Sequence, residues 1–161
     1  TRFARKLENN QGLLSAAAVA LAVACIPMVF PLGYWGYVAA MFVWGIAFGG
    51  FWMMIAPAMA DVIDGIVVRT GRRDDGVYLG FRAFFGRLGY AVQAIAFAVV
   101  HALTGFSVDP RSPQAIFGIR LHQAGIPAVL LLVGFVVFKA LNTITPESAR
   151  QNRELMKKKG W

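Results

Sequence analysis

An uncharged stretch dominates the first third of the chain: residues 12–60 contain no Asp, Glu, Lys or Arg. About 20 apolar residues are enough for a helix to cross the hydrocarbon core of a bilayer. A buried helix in a soluble protein does not need so long an uncharged run, because such helices are usually shorter than 20 residues. The stretch therefore predicts two membrane crossings.

The composition agrees with an integral membrane protein, with 58% hydrophobic and 15% charged residues. A soluble domain carries about 25% charged residues. The net charge of +8 could indicate nucleic-acid binding, but the basic residues form short clusters between apolar runs, as membrane loops do. Cys25 is the only cysteine, and no phosphate-binding glycine loop, metal-ligand cluster or nucleophile triad is present in the sequence. The sequence therefore predicts no enzyme, no cofactor, no metal site and no nucleic-acid partner.

The hydrophobic pattern predicts an all-α membrane protein with four transmembrane helices. Their approximate bounds are 12–30, 36–60, 77–106 and 121–141. The remaining segments are 1–11 as a first loop, 61–76 and 107–120 as connections, and 142–161 as a tail. Within that tail, Pro146 after Thr145 predicts a helix start, since proline is favoured at the first helical position.

The basic residues predict the orientation in the plasma membrane. Four spans put both chain ends and the 61–76 connection on one side, and that side holds twelve basic residues against two on the other. The twelve are Arg2, Arg5, Lys6, Arg69, Arg72, Arg73, Lys139, Arg150, Arg153, Lys157, Lys158 and Lys159, and the two are Arg111 and Arg120. Because cytoplasmic loops are enriched in Lys and Arg, both ends are predicted to be cytoplasmic.

Arg82 and Arg87 lie inside the third predicted span. Arg82 is about five residues from the cytoplasmic end, where a long side chain can reach the interface. Arg87 is roughly 15 Å deep at 1.5 Å per residue, and a charge at that depth costs at least about 2.5 kcal/mol. We expect Arg87 to face a bundle interior or an aqueous cavity. Alternatively it is the structural partner of a carboxylate or of helix-end carbonyls.

Trp52 is the other candidate binding residue, because it falls well inside the second span rather than at an interface, where tryptophan is enriched. An indole at that depth either stacks on a sugar ring or fills the bundle, and the sequence leaves both open. Gly45 and Gly49 form a small-xxx-small pair that predicts close helix packing. Pro27 and Pro57 predict kinks in the first two spans. His101 is interpreted as a satisfied polar residue rather than a proton relay.

Three stretches form a longer motif. They are 60–64 (ADVID), 69–78 (RTGRRDDGVY) and 80–88 (GFRAFFGRL). Together they resemble the glycoside-pentoside-hexuronide:cation symporter family of the major facilitator superfamily, the melibiose permease type. The opening 2–7 (RFARKL), the segments 118–121 and 126–127, and the tail 145–147 are similar to further parts of that family. By this resemblance the chain corresponds to helices nine to twelve of a twelve-helix fold.

The resemblance implies roles for particular residues. Trp52 aligns with a tryptophan of the sugar pocket, Arg87 with a basic residue of the eleventh helix, and Arg82 with a pocket-facing position. Asp61, Asp64, Arg72 and Arg73 form the cytoplasmic loop motif. This chain departs from the family at Gly65, where a tyrosine is usual, and at Gly86, where a basic residue is usual.

The implied function is cation-coupled symport of a sugar, glycoside or uronide by alternating access. The coupling cation, Na⁺ or H⁺, would bind acidic residues of an N-terminal half that is not in this sequence. The expected partners are a small sugar-like or anionic substrate, the bilayer and that N-terminal half. Because the sequence begins at Thr1 without Met, it is expected to be part of a longer chain. The alternative is a stand-alone four-helix membrane protein, such as a small oligomeric channel or an assembly subunit.

Overall fold

The computed structural model describes residues 9–160, in which helices are joined by short connections and no strand is present. Four helical segments in this range are long and apolar enough to cross a membrane: Asn10–Val29, Tyr34–Thr70, Asp75–Leu103 and Pro113–Leu141. The predicted all-α fold with four candidate spans is confirmed. The predicted opening motif 2–7 lies outside the described residues.

The helices are labelled here in chain order. They are α1 (Asn10–Cys25), α2 (Tyr34–Thr70), α3 (Asp75–Leu103), α4 (Pro113–Arg120), α5 (Ile126–Leu141) and α6 (Pro146–Lys159). A 3₁₀ turn, Ile26–Val29, extends α1, and a π-helical turn, Leu121–Gly125, joins α4 to α5. We call the end of the bundle that carries Asn10, Asp61 and α6 the basic end, and the other end the far end.

Side-chain caps define where several helices begin. Asn9 accepts a hydrogen bond from the Gly12 backbone at 2.9 Å, which satisfies one unpaired donor at the start of α1. At α6, Thr145 and Ser148 form a reciprocal capping box, and Pro146 occupies the first turn. The helix start predicted in the tail is confirmed.

The predicted connection 61–76 is wrong over most of its length. Helix α2 continues through Asp61 and Asp64 to Thr70, where Gly71 ends it with a φ of 69°. Polar residues in this part of α2 alternate at helical spacing with Ile63 and Val67, which are buried against α6. The acidic and basic residues therefore mark an amphipathic extension of the helix, and the connection to α3 shrinks to residues 71–74.

The predicted connection 107–120 is also too long, since α4 begins at Pro113. The Ser112 hydroxyl accepts from the Ala115 backbone at 3.2 Å, and Pro113 suits the first helical position because it needs no backbone donor there. The fourth candidate span thus starts at Pro113, eight residues before its predicted start at Leu121, and it includes the π-helical turn. The first and third predicted spans differ from α1 and α3 only at their ends.

Helix α1 packs between α2 and α5, and the small core of this contact contains Cys25, Met28, Ala40 and Ala124. Helix α6 packs along the basic end of α2, where Met156 contacts the buried side chains of that extension. Both packing contacts place the beginning of α1, the end of α2 and all of α6 at the basic end.

Helix α3 has a different environment. Tyr78 packs near Met156 at the basic end, and Phe97 and His101 pack against α4 and the π-helical turn at the far end. Every residue of 79–95 between these two anchors is exposed. The middle of this apolar helix consequently presents its whole circumference to the surroundings.

The two prolines that were predicted to kink the first two spans lie in different kinds of backbone. Pro27 lies in the 3₁₀ turn, and Pro57 lies inside α2. The close packing predicted at Gly45 and Gly49 does not form within residues 9–160, because a Cβ built on either glycine meets nothing within 4 Å. That face of α2 is open in the described chain.

Gly118 sets the distance between α4 and the end of α3. A Cβ built there would lie 2.9 Å from the Thr104 Cβ, closer than real side chains approach. We expect Gly118→Ala to lower the free energy of unfolding by roughly 1–3 kcal/mol because it overpacks this contact. The measurement is thermal unfolding of the purified protein. Gly76→Ala at the open start of α3 is the control, and equal stability of the two variants would contradict the contact.

Candidate functional site

Asp61 organises the basic end of the bundle. This residue is only 3% exposed. Asn10 of α1 donates its amide N–H to Asp61 Oδ2 at 3.0 Å, and Arg153 Nε of α6 lies 3.8 Å from Oδ1. Gln11 adds a buried hydrogen bond from its amide to the Ala58 carbonyl at 2.8 Å. Three helices are thereby joined through one carboxylate and its neighbours.

Arg72 and Arg73, which also belong to the predicted loop motif, lie apart from Asp61. Arg73 pairs with Asp75 at 3.1 Å, and both are at least one-third exposed, so this pair contributes little stability. Arg72 is exposed at the start of the short connection to α3, and Asp64 is half-buried one turn beyond Asp61. The structure therefore separates a buried Asp61 from a solvated group at the connection.

Gly65 now has a structural explanation. It is buried on α2, and a Cβ built there would lie 3.2 Å from Asn152 Nδ2 of α6. A tyrosine, which the sequence comparison led us to expect here, would occupy the position of α6. The departure at Gly65 is thus matched to the docking of the C-terminal helix.

Arg82 and Arg87 lie in the exposed middle of α3. Successive residues of an α-helix are about 100° apart, so positions five apart project about 140° from each other. The two guanidinium groups therefore belong to different faces of α3. Within residues 9–160, neither arginine forms an ion pair.

Arg87 belongs to a face of α3 that otherwise carries small side chains. At about 100° per residue, the positions between 76 and 98 that lie within roughly 40° of Arg87 carry only glycine or alanine, and the bulky Phe84 and Tyr90 flank this stripe on either side. The small residues are Gly76, Gly80, Ala83, Ala91, Ala94 and Ala98. Bulky apolar residues gather on a second face, and they include Phe81, Phe85, Leu88 and Val92. In lipid, small residues allow a neighbouring helix or a solute to approach the backbone closely. The small face and the bulky face therefore have different expected surroundings.

Trp52 lines a cavity of about 530 Å³ between α1, α2 and α5. The lining residues are Leu14, Ser15, Ala18, Leu21, Cys25, Trp44, Phe48, Phe51, Trp52, Pro127, Leu130, Leu131, Gly134, Phe135 and Phe138. The Ser15 hydroxyl already donates to the Gln11 carbonyl at 2.9 Å. This wall thus offers aromatic faces and few free hydrogen-bonding groups.

The structure does not bring the three predicted binding residues into one pocket, because neither Arg82 nor Arg87 lines the Trp52 cavity. Sequence reasoning also missed two neighbours of Trp52. Trp44 stacks on Phe48 with ring centroids 4.9 Å apart, and Phe48 meets Trp52 edge-on at 6.0 Å. The signal was present, since positions 44, 48 and 52 are spaced four apart and share one helix face.

The long apolar helices, the internal arginines and the apolar cavity define a multi-pass α-helical membrane protein. A family model described as MFS/sugar transport protein matches residues 1–142. The chain belongs to this family of transporters of small sugar-type molecules. No curated protein and no solved structure matches it.

The contact between Gly65 and α6 yields a test. We expect Gly65→Tyr to displace α6 and expose Met156, which is 7% exposed. The probe is a cysteine in place of Met156, in a Cys25→Ala background. It should react with a maleimide roughly tenfold faster when Tyr replaces Gly65, because the free energy of detaching α6 from α2 would fall by about 1.4 kcal/mol.

A cysteine at the exposed Gln151 serves as the matched control, and it should react equally fast with Gly or Tyr at position 65. An unchanged rate at position 156 would contradict the docking of α6 on Gly65.

Proposed function

We propose that this chain forms the C-terminal four helices of a cation-coupled symporter that carries a sugar, glycoside or uronide by alternating access. The family assignment supports sugar-type transport. The observation that carries the finer proposal is Arg87, an internal arginine on an exposed, small-residue face of α3. Transporters of related architecture bind substrate near the bilayer midplane, between two halves that rock against each other.

Arg87 is suited to an anionic substrate. A guanidinium group offers a planar pair of donors that matches a carboxylate, and such charge-assisted pairs are stronger than neutral hydrogen bonds. The acidic residues near α3 lie at its ends, at Asp75 and in the turn that holds Asp109. A carboxylate at the depth of Arg87 would therefore come from the substrate or from the other half of the transporter.

Trp52 would supply the apolar part of the binding surface. The face of a sugar ring can stack on an indole, but its hydroxyl groups need hydrogen-bond partners when they leave water. The cavity lined by Trp52 has few such partners. The proposal therefore has the sugar contact Trp52 through its ring and Arg87 through its charged group. Arg82, on a different face of α3, would contact the solute from another side of the path.

The basic end is proposed to face the cytoplasm of the plasma membrane. It carries the Asp61, Asp64, Arg72 and Arg73 motif and the lysines at the end of α6. The excess of Lys and Arg on this side supports the orientation. The N-terminal half would hold the acidic site for Na⁺ or H⁺ and would meet this motif when the transporter closes.

Uptake by the full-length transporter tests the role of Arg87. Proteoliposomes containing wild type, Arg87→Ala or Arg87→Lys would be given labelled neutral disaccharides and labelled hexuronides. Loss of a charge-assisted hydrogen bond costs about 1.5–3 kcal/mol, so uptake by Arg87→Ala should fall roughly tenfold to hundredfold. Arg87→Lys should retain more activity because it keeps the charge.

Arg150→Ala is the matched control, since Arg150 is exposed on α6 and pairs only weakly with Glu154. A loss confined to hexuronides would identify the carboxylate as the ligand of Arg87. Loss of both substrate types would place Arg87 on a shared path. Uptake equal to that of wild type, from correctly inserted protein, would overturn the assignment. Separate Na⁺ and pH gradients identify the coupling cation.

A further inference from the structure

Two histidines and two phenylalanines meet at the far end of the bundle. The His101 ring lies 4.1 Å from Phe97, 4.6 Å from Phe106 and 5.9 Å from His122, measured between ring centroids. His122 meets Phe97 edge-on at 5.0 Å. We call these four residues the aromatic–histidine cluster. It joins α3 to the π-helical turn and is separate from the Trp52 cavity and from Arg87.

His101 is the unusual member of this cluster. It is 7% exposed, and it is the only buried residue of α3. Its Nδ1 is fully buried and has no hydrogen-bond partner within residues 9–160. A buried polar atom without a partner costs about 1–3 kcal/mol. The fold therefore keeps a nitrogen in an unfavourable state that binding of a further group would relieve.

His122 lies on an equally unusual backbone. It belongs to the π-helical turn Leu121–Gly125, and Pro127 follows just beyond that turn. Proline has no backbone N–H and crowds the preceding turn, so the helix widens locally. Single π-helical turns of this kind occur frequently at functional sites. The widened turn presents the half-buried His122 ring toward His101.

We propose that His101 and His122 together form a proton-binding site. With one proton added, the pair holds three N–H groups and one acceptor nitrogen, so the imidazolium can donate a charge-assisted hydrogen bond to the neutral ring. The two ring centroids lie 5.9 Å apart, so rotation of the side chains would bring a nitrogen of each ring to hydrogen-bonding distance. The rings of Phe97 and Phe106 lie within 5 Å of the His101 ring, close enough for cation–π attraction to an imidazolium.

Few other ionisable groups lie near the two histidines. Between 88 and 103, α3 carries no ionisable side chain other than His101 and the exposed Tyr90. The groups on the neighbouring elements are Asp109 and Arg111 in the connecting turn, Arg120 at the end of α4, and the buried Cys25 beside the π-helical turn. Asp109 already accepts a hydrogen bond from the Arg111 backbone at 2.9 Å.

Binding of a second proton to the pair is disfavoured, because two positive charges would then lie side by side in a largely buried cluster. The first proton links α3 to the π-helical turn, and its loss loosens that link. The proposal goes beyond sugar transport, and it holds whatever solute the protein carries.

Nitrogen NMR of the histidine rings tests the site without a transport assay. The full-length protein in lipid nanodiscs would be labelled at histidine and titrated from about pH 4.5 to 9, the range in which histidine changes charge. His101→Gln and His122→Gln assign the signals. We expect the His101 midpoint to move by at least about one pH unit, a tenfold change in proton affinity, when His122 becomes Gln.

Gln123→Ala in the same π-helical turn is the matched control, and it should leave the His101 midpoint unchanged. Thermal unfolding verifies that each variant is folded, and His122→Asn replaces His122→Gln if the latter is not. The reciprocal measurement follows His122 in the His101→Gln variant. An identical His101 midpoint with and without His122, an equal shift in Gln123→Ala, or a His101 ring that stays neutral throughout would overturn the proposal.

Discussion

One buried carboxylate connects the parts of the chain that lie at the basic end. Asp61 lies on α2 and is contacted by Asn10 of α1 and Arg153 of α6. A buried charge that loses its partners is strongly destabilising, so these contacts constrain where all three helices can lie. At 37 residues, α2 spans about 55 Å, well beyond the roughly 30 Å hydrocarbon core. Its excess length projects as the extension on which α6 docks.

The far end depends on a different kind of contact. There the helices are held together by ring contacts among Phe97, His101, Phe106 and His122. The close approach of Gly118 to Thr104 adds a second contact. Helix α3 is held at this end and, through Tyr78, at the other. The intervening residues 79–95 are exposed, although most of them are apolar. A helix anchored only at its two ends is suited to a protein in which a second body packs along its middle.

The sequence was sufficient for features that depend on local chemistry. The four candidate spans follow from apolar length, and the start of α6 follows from Thr145 and Pro146, because hydropathy and capping act within a few residues. The end of α2 was predicted wrongly because the charged residues after Ala60 indicated a loop. Only the contact with Met156, almost a hundred residues further along, shows that Ile63 and Val67 form the buried face of a helix.

The candidate site likewise combines features that the sequence could predict with features that depend on distant contacts. The depth of Trp52 and Arg87 could be counted along the sequence, but their separation could not, since it depends on how α3 lies relative to α1, α2 and α5. The π-helical turn was missed as well, because nothing in the segment 121–125 by itself distinguishes it from an ordinary helix. His122 consequently received no role from the sequence, and His101 was interpreted as satisfied, although its Nδ1 has no partner within the described residues.

In the proposed transporter, the Arg87 face of α3 lines a watery substrate path and its bulky face does not. The most direct measurement is cysteine labelling of the full-length transporter by a membrane-impermeant thiol reagent. Cysteines would replace Ala83, Ala91 or Ala94 on the small face, and Phe85 or Val92 on the bulky face. We expect labelling of the small face alone, and we expect transported sugar to slow that labelling. Labelling confined to the bulky face, or equal on both faces, would contradict this expectation.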